Sequence, residues 1–239
     1  DVAALNAGVS YTSNFLIRFS WEDEYMIATD GFGIDEVSLR ALDYATIGTI
    51  QSSSVTSNGH FGASLSGVSD VNGDGFPDLA VGHPGYLSNR GRVEIYSGKD
   101  SAFLKQATTS IFGDQFGTTL ATLGDHDGDG FDELLVGAPL NDQNGASSGA
   151  AYVYSTKNGA QLQAFYGDAA GDELGAALGN APDLDGDGLD EIVLGMPGAN
   201  GLAGADCGKV RIYSSIDYSL LLEVEGSQAG ERLGSSVDV

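Results

Sequence analysis

Three copies of one nine-residue pattern, each followed by an apolar run, constrain this chain more than any other feature. The copies read DVNGDGFPDLAVG from Asp70, DHDGDGFDELLVG from Asp125 and DLDGDGLDEIVLG from Asp183. Carboxylate or amide side chains occupy positions one, three, five and nine, and glycines occupy positions four and six. Glycine reaches positive φ values without a steric penalty, so the chain can turn tightly there. The pattern predicts a tight loop that leads directly into a buried strand.

Oxygen atoms at this spacing can surround one hard cation when the main-chain carbonyl of position seven joins them. Without a cation, the clustered carboxylates repel one another. We therefore predict three Ca²⁺ sites, and we disfavour Mg²⁺ because it requires octahedral geometry and retains its waters. The predicted ligands are Asp70, Asn72, Asp74, the carbonyl of Phe76 and Asp78 in loop 1 (70–78); Asp125, Asp127, Asp129, the carbonyl of Phe131 and Glu133 in loop 2 (125–133); and Asp183, Asp185, Asp187, the carbonyl of Leu189 and Glu191 in loop 3 (183–191).

Two alternatives bear on these loops. Asp, Asn and Gly are also common turn residues, but three copies in register are hard to attribute to turn chemistry alone. An EF-hand loop needs a glutamate at position twelve between helices, whereas position twelve is Val81, Val136 or Leu194 inside an apolar run. In loops 2 and 3, Asp132 and Asp190 directly precede the ninth-position glutamates and could take their role.

The loops belong to a longer internal repeat. Each follows a prelude that reads FGASLSGVSD from Phe61, FGTTLATLGD from Phe116 or LGAALGNAPD from Leu174, and a further LGSS begins at Leu233. After each loop come a short apolar strand, an alternating strand and a closing apolar segment. Four short strands per unit and a period above 50 residues predict an all-β fold of β-propeller blades. The predicted units are 61–115, 116–173 and 174–232, with a partial unit from 233.

The recurring Phe-Gly prelude, the D-x-[DN]-G-D-G loop and the Gly-Ala-Pro of residues 137–139 resemble the FG-GAP repeat. That repeat builds the propeller of integrin α subunits and of many bacterial surface proteins. The resemblance covers about residues 50–239 and implies a calcium-binding propeller with a ligand-binding face. This sequence departs from the pattern at His83 and Met196, which replace the middle alanine, and at Leu174 and Leu233, which replace the phenylalanine.

Residues 1–49 break the period. Strand candidates begin at Asn14 and Gly31, and residues 14–42 resemble the closing strands of secreted jelly-roll β-sandwiches. We therefore predict a partial β-sandwich-like or docking segment over 1–49 and propeller repeats over 50–239. The apolar segment 44–51 has the place of a preceding blade's last strand.

Charge and composition limit the possible partners and activities. A net charge of −24 disfavours nucleic acid and anionic membrane surfaces as partners. No apolar run approaches the length of a membrane span, so we expect no membrane insertion. His60, His83 and His126 share no ligand spacing, and no nucleophile motif is present. We therefore predict no catalytic residues, no organic cofactor and no enzymatic activity.

The prediction is a calcium-binding, secreted extracellular or cell-surface module that acts in adhesion, scaffolding or self-assembly. Its partner would be a protein, a glycan or further copies of itself. A lectin-like propeller accessory to a polysaccharide-active enzyme is the alternative, and a polysaccharide lyase is the third reading. Three blades cannot close a ring, so we expect a longer chain, an oligomer or a filament.

Overall fold

The computed structural model describes residues 15–19, 36–41, 46–52, 59–109 and 111–237, with side chains described from residue 49 onward. These residues form four antiparallel sheets in which the strands follow one another in sequence order. The predicted all-β class and the three blades of four strands are confirmed. A single helical turn lies at Tyr86–Asn89.

The strands repeat with the predicted period. The first sheet contains β1 (Phe15–Phe19), β2 (Glu36–Ala41) and β3 (Thr46–Gln51). Blade 1 contains β4 (Leu65–Val68), β5 (Asp78–Gly82), β6 (Val93–Tyr96) and β7 (Phe103–Ala107). Blade 2 contains β8 (Thr119–Thr122), β9 (Glu133–Ala138), β10 (Ala150–Ser155) and β11 (Gln161–Tyr166). Blade 3 contains β12 (Ala177–Ala181), β13 (Glu191–Met196), β14 (Lys209–Tyr213) and β15 (Leu220–Glu225).

The second strand is fully buried in all three blades. Every residue of β5, β9 and β13 is buried. A strand that is covered on both faces does not need to alternate between apolar and polar residues. This explains the continuous apolar run after each loop. The ninth residue of each loop is also the first residue of this strand, so each loop is anchored at one end in the core.

Successive blades pack face to face. Phe116 of the second prelude is fully buried, and it clusters with Val93 and Ile95 of blade 1 and Val136 and Tyr152 of blade 2. A second cluster joins blades 2 and 3 through Leu135, Val153 and Phe165 on one side and Leu174, Ile192 and Leu194 on the other. The first prelude residues, Phe116 and Leu174, therefore pack between successive blades.

A glycine fixes the start of each third strand against the next prelude. Parallel bridges join Gly91 to Phe116, Gly149 to Leu174 and Gly208 to Leu233. The three glycines have φ values of 82°, 81° and 79°, a conformation that favours residues without a Cβ atom. These bridges tie each unit to the one that follows it.

The first sheet shares features with the blades. The β2–β3 hairpin has a register shift between Leu39 and Arg40, and β6–β7 has the same shift between Ile95 and Tyr96. Ile50 of β3 packs in one cluster with Phe61, Leu79, Val81 and Tyr96. Most of the predicted sandwich-like segment lies outside the described residues, and its boundary at residue 49 stays a prediction.

Blade 1 carries a buried charged cluster beside the end of β3. Arg92 and Glu94 form an ion pair of 2.9 Å, and the Tyr96 hydroxyl donates to Glu94. His83 is 1% exposed, at the place that Ala138 and Met196 hold in the other blades. Burial lowers the pKa of His83 to about 4, and the nearby Arg92 charge acts in the same direction.

The buried histidine should make folding sensitive to acid. Because its pKa is lower in the folded state than in the unfolded chain, the stability it contributes is present above about pH 6.5 and is lost as pH falls toward 4. One pKa unit corresponds to about 1.4 kcal/mol, so we expect a loss of about 2–3 kcal/mol between pH 7.5 and 4.5.

Urea unfolding of the natural chain and of His83→Met tests this, because methionine fills the corresponding place in blade 3. Carboxylate protonation destabilises both proteins alike, so the variant should lose about 2–3 kcal/mol less over the same pH range. Equal losses in the two proteins would show that His83 is not responsible.

Candidate metal centres

The first-position aspartate organises each loop. In loop 1, the Asp70 carboxylate accepts the main-chain N–H groups of Gly73, Asp74 and Gly75 at 2.7, 3.0 and 2.6 Å. These hydrogen bonds, Gly75 foremost, lower the pKa of Asp70. Asp125 accepts from Gly130 at 2.9 Å and Asp183 from Gly188 at 3.0 Å in the same way. The glycine at position six therefore donates to position one in all three loops.

The side chains at positions three and five shape the rest of the loop. Each accepts a hydrogen bond from the main-chain N–H two residues later. In loop 2, the Asp129 N–H donates to the Asp127 carboxylate at 3.0 Å, and the Phe131 N–H donates to the Asp129 carboxylate at 3.0 Å. The same bonds occur in loop 1 and loop 3, at distances of 2.8 to 3.1 Å. They place the carboxylate and amide oxygens along one side of the turn.

The ninth-position glutamates are buried, and only one carboxylate oxygen of each accepts a hydrogen bond. Glu133 Oε2 accepts the N–H of His126 at 2.7 Å, and Glu191 Oε1 accepts the N–H groups of Leu184 and Asp185 at 2.6 and 3.1 Å. Glu133 Oε1 and Glu191 Oε2 are buried and have no hydrogen-bond partner among the described residues. Burial raises the pKa of Glu133 to about 7, and the charges of Asp127 and Asp129 add to the effect.

Loops 2 and 3 each bring together the carboxylates of positions one, three and nine, but not that of position five (Asp129 or Asp187), whereas loop 1 differs. Carboxylate oxygens of Asp125, Asp127 and Glu133 lie within 4.8 Å of one another, and those of Asp183, Asp185 and Glu191 do the same. In loop 1, Asp78 uses one oxygen to accept from Val71 at 2.8 Å and the other to accept from Gly98 at 3.1 Å. The ninth position of loop 1 therefore has no unpaired oxygen.

The residues before the ninth position point to other partners. Asp132 accepts the N–H of Ser69 at 2.8 Å, and Asp190 accepts from the Asn180 side chain at 3.1 Å. Successive residues at a strand start lie on opposite faces, so only one of the two can face the loop. The geometry favours Glu133 and Glu191 over Asp132 and Asp190.

The oxygen atoms present fit a calcium ion. A buried carboxylate oxygen without a hydrogen-bond partner is costly, and here it lies beside two further carboxylates. The side chains at positions one, three, five and nine all offer oxygen ligands, which hard cations prefer. Calcium is the cation that takes such irregular sets of oxygens most readily.

The hairpin between the third and fourth strands also reaches the loops, which the sequence reasoning missed. Ser97 Oγ donates to Asp74 at 3.0 Å, and the Lys157 ammonium lies 3.7 Å from the Asp129 carboxylate. A serine follows the tyrosine of the third strand in every unit, at Ser97, Ser155 and Ser214. That recurrence is the sequence signal that could have indicated a contact.

Comparison with known proteins bears on this architecture. Residues 70–136 match the family model described as FG-GAP-like repeat. This stretch is similar to an FG-GAP-like repeat. The matched segment runs from the first residue of loop 1 into β9, so it contains loop 1 and loop 2.

The chain is also similar in sequence to integrin α subunits. Integrin alpha-4 of Xenopus laevis is 31% identical over 150 residues, which is 57% of this chain and 14% of the relative. Integrin alpha-IIb of Homo sapiens is 31% identical over 163 residues, or 60% of this chain and 15% of the relative. The chain thus spans about one seventh of the length of these curated relatives.

A solved structure shows the same fold. The Dos1 propeller superposes with a TM-score of 0.51 at 17% sequence identity, and the match covers 90% of this chain and 45% of that chain. Within the part of the chain that the structure describes, no helix has the length and apolar character needed to cross a bilayer.

Proposed function

We propose that each FG-GAP loop binds one Ca²⁺ through the ligands predicted at positions one, three, five, seven and nine. The observation that supports this most is the unpaired buried oxygen of Glu133 and Glu191 beside two aspartates. A bound cation would give that oxygen a partner and would offset the repulsion within each cluster. Since position nine begins a buried strand, the ion would join the loop to the blade core.

A calorimetric titration with Ca²⁺ tests this proposal. We expect three bound ions in the natural chain and two in Asp127→Ala, which removes a ligand from loop 2. Asp142→Ala is the matched control, because Asp142 is an exposed aspartate outside the loops and should leave three ions bound. Binding of three ions by Asp127→Ala, or no binding by the natural chain, would contradict the proposal.

Loop 1 should bind calcium most weakly. It offers three carboxylates and one amide, whereas loops 2 and 3 each offer four carboxylates. Affinity rises with ligand charge, and Asp78 must also share its oxygens with two N–H donors. Titration of chains in which only one loop is intact measures this ranking, and tightest binding by loop 1 would refute it.

We propose that the module itself is extracellular or cell-surface and acts in adhesion, scaffolding or assembly without catalysis. The support is its similarity to integrin α subunits and its calcium loops. Its partner would be a protein, a glycan or further copies of the chain, and residues 1–49 would dock against blade 1 as Ile50 does. The outer strand β15 exposes Leu220, Leu222 and Val224, which supports coverage by another blade or another copy.

The lectin-like alternative has less support. Its recurring aromatic is the tyrosine of the third strand, yet Tyr96 and Tyr154 are buried and Tyr213 packs against Phe165. A sugar platform needs exposed ring faces. A glycan array separates the glycan-binding from the protein-binding version, and turnover of any polysaccharide by the natural chain would contradict a role without catalysis.

A further inference from the structure

Loops 1 and 2 are joined by a reciprocal pair of hydrogen bonds. The Ser69 N–H donates to Asp132 Oδ2 at 2.8 Å, and the Asp132 N–H donates to Ser69 Oγ at 3.0 Å. Ser69 directly precedes Asp70, the first position of loop 1. Asp132 lies between Phe131 and Glu133, the seventh and ninth positions of loop 2. The pair therefore links the start of one loop to the end of the next.

A second set of contacts holds loop 2 against blade 1. Lys105 of β7 donates to the carbonyl groups of Thr156 and Lys157 at 2.6 and 2.9 Å. Thr156 in turn donates its hydroxyl to the Asp132 carbonyl at 2.6 Å, and Lys157 donates to the Asp129 carbonyl at 3.2 Å. The main chain of Asp132 is thus held from both sides.

Loop 3 has no such connection to blade 2. Gly124 takes the place of Ser69, and Asp190 accepts from Asn180 of its own blade. Gln163 takes the place of Lys105, and the hydroxyl of Ser215, in the place of Thr156, is buried without a partner. Across the part of the chain that the structure describes, no hydrogen bond joins loop 3 to blade 2.

We propose that calcium binding at loops 1 and 2 is cooperative through the Ser69–Asp132 pair, and that loop 3 binds independently of loop 2. This inference rests on the proposed calcium function. Ordering of residues 131–133 restricts Ser69 and hence Asp70, so the second loop to bind has less conformational freedom to lose. By thermodynamic linkage the effect is reciprocal, and loop 1 strengthens loop 2 by the same factor.

The main-chain N–H of the sixth-position glycine reports each loop separately. Gly75, Gly130 and Gly188 all donate to the first-position aspartate, so their amide resonances should follow Ca²⁺ binding loop by loop in an NMR titration. In the 239-residue chain, Asp127→Ala should weaken calcium binding at Gly75 about fivefold or more, the lower end of common allosteric couplings. The affinity reported by Gly188 should change by less than about twofold.

The double variant Ser69→Ala, Asp132→Ala tests the link itself, because it removes the hydroxyl and the carboxylate that accept the two hydrogen bonds of the pair. In that background, Asp127→Ala should no longer alter the affinity at Gly75 by more than about twofold. Asn180→Ala is the matched control, since it removes the corresponding partner of Asp190 within blade 3 and should leave the coupling of loops 1 and 2 intact.

The outcomes separate the two proposals. Saturable calcium binding at all three glycines, with equal responses of Gly75 and Gly188 to Asp127→Ala, overturns the coupling and leaves the calcium function standing. Coupling that persists in the double variant overturns the role of the pair. No calcium-dependent shift at any of the three glycines overturns both proposals.

Discussion

Gly149→Ala is expected to lower the free energy of unfolding by about 2–5 kcal/mol. A Cβ atom at this position would lie 2.2 Å from the Leu174 nitrogen and 2.4 Å from its carbonyl oxygen, and both are main-chain atoms of the inter-blade bridge. The φ of 81° adds about 1–2 kcal/mol for any residue with a Cβ, and the overpacking adds about 1–3 kcal/mol. The bridge would have to open to relieve the clash.

Gly171→Ala is the matched control for this substitution. Its φ of 86° is close to that of Gly149, but no heavy atom lies within 4 Å of the Cβ position. Only the conformational term remains, so we expect a loss of about 1–2 kcal/mol. Urea unfolding of the two variants measures the difference, and equal losses would show that the bridge does not hold the blades together.

The sequence was sufficient to predict the features that recur within each repeat unit. Each loop leads into a buried strand because its ninth residue is followed by an unbroken apolar run, and β5, β9 and β13 begin at Asp78, Glu133 and Glu191 as that pattern requires. The four-strand unit followed from the same periodicity. These features depend on neighbouring residues, so spacing alone is sufficient to predict them.

Contacts between units were not predictable in the same way. The recurring Gly91 and the prelude Phe116 were both visible as repeats, yet nothing in their spacing indicates that they form a bridge. The choice between Asp132 and Glu133 depends on which face each residue presents at the start of β9, and spacing left it open. The burial of His83 arises from contacts with Phe61 and Ser52, which are distant from it in sequence.

Calcium removal should destabilise the whole chain. Extracellular calcium modules have dissociation constants of about 10⁻⁴–10⁻³ M. At about a hundredfold excess of free calcium over the dissociation constant, one site contributes about 2.7 kcal/mol, so three sites that are each at this excess contribute about 8 kcal/mol. For a chain of this size, 1 kcal/mol shifts the melting temperature by about 2–4 °C. We therefore expect a decrease of about 15–30 °C in the absence of calcium.

Asp129→Ala should reproduce part of this loss even in calcium, because it removes a loop 2 carboxylate whose oxygen also caps the Phe131 N–H. The loss should be about one third of the full effect, since loops 1 and 3 keep their ligands. Asp142→Ala, outside the loops, removes only the hydrogen bond from the Ser147 N–H, so its melting temperature should fall by no more than about 2–4 °C.

Scanning calorimetry of the natural chain in calcium and in EDTA tests the central claim most directly, namely that the three loops are calcium sites that stabilise the blades. The predicted result is a melting transition about 15–30 °C lower in EDTA, restored by added Ca²⁺. Superimposable melting curves in calcium and EDTA would contradict the claim.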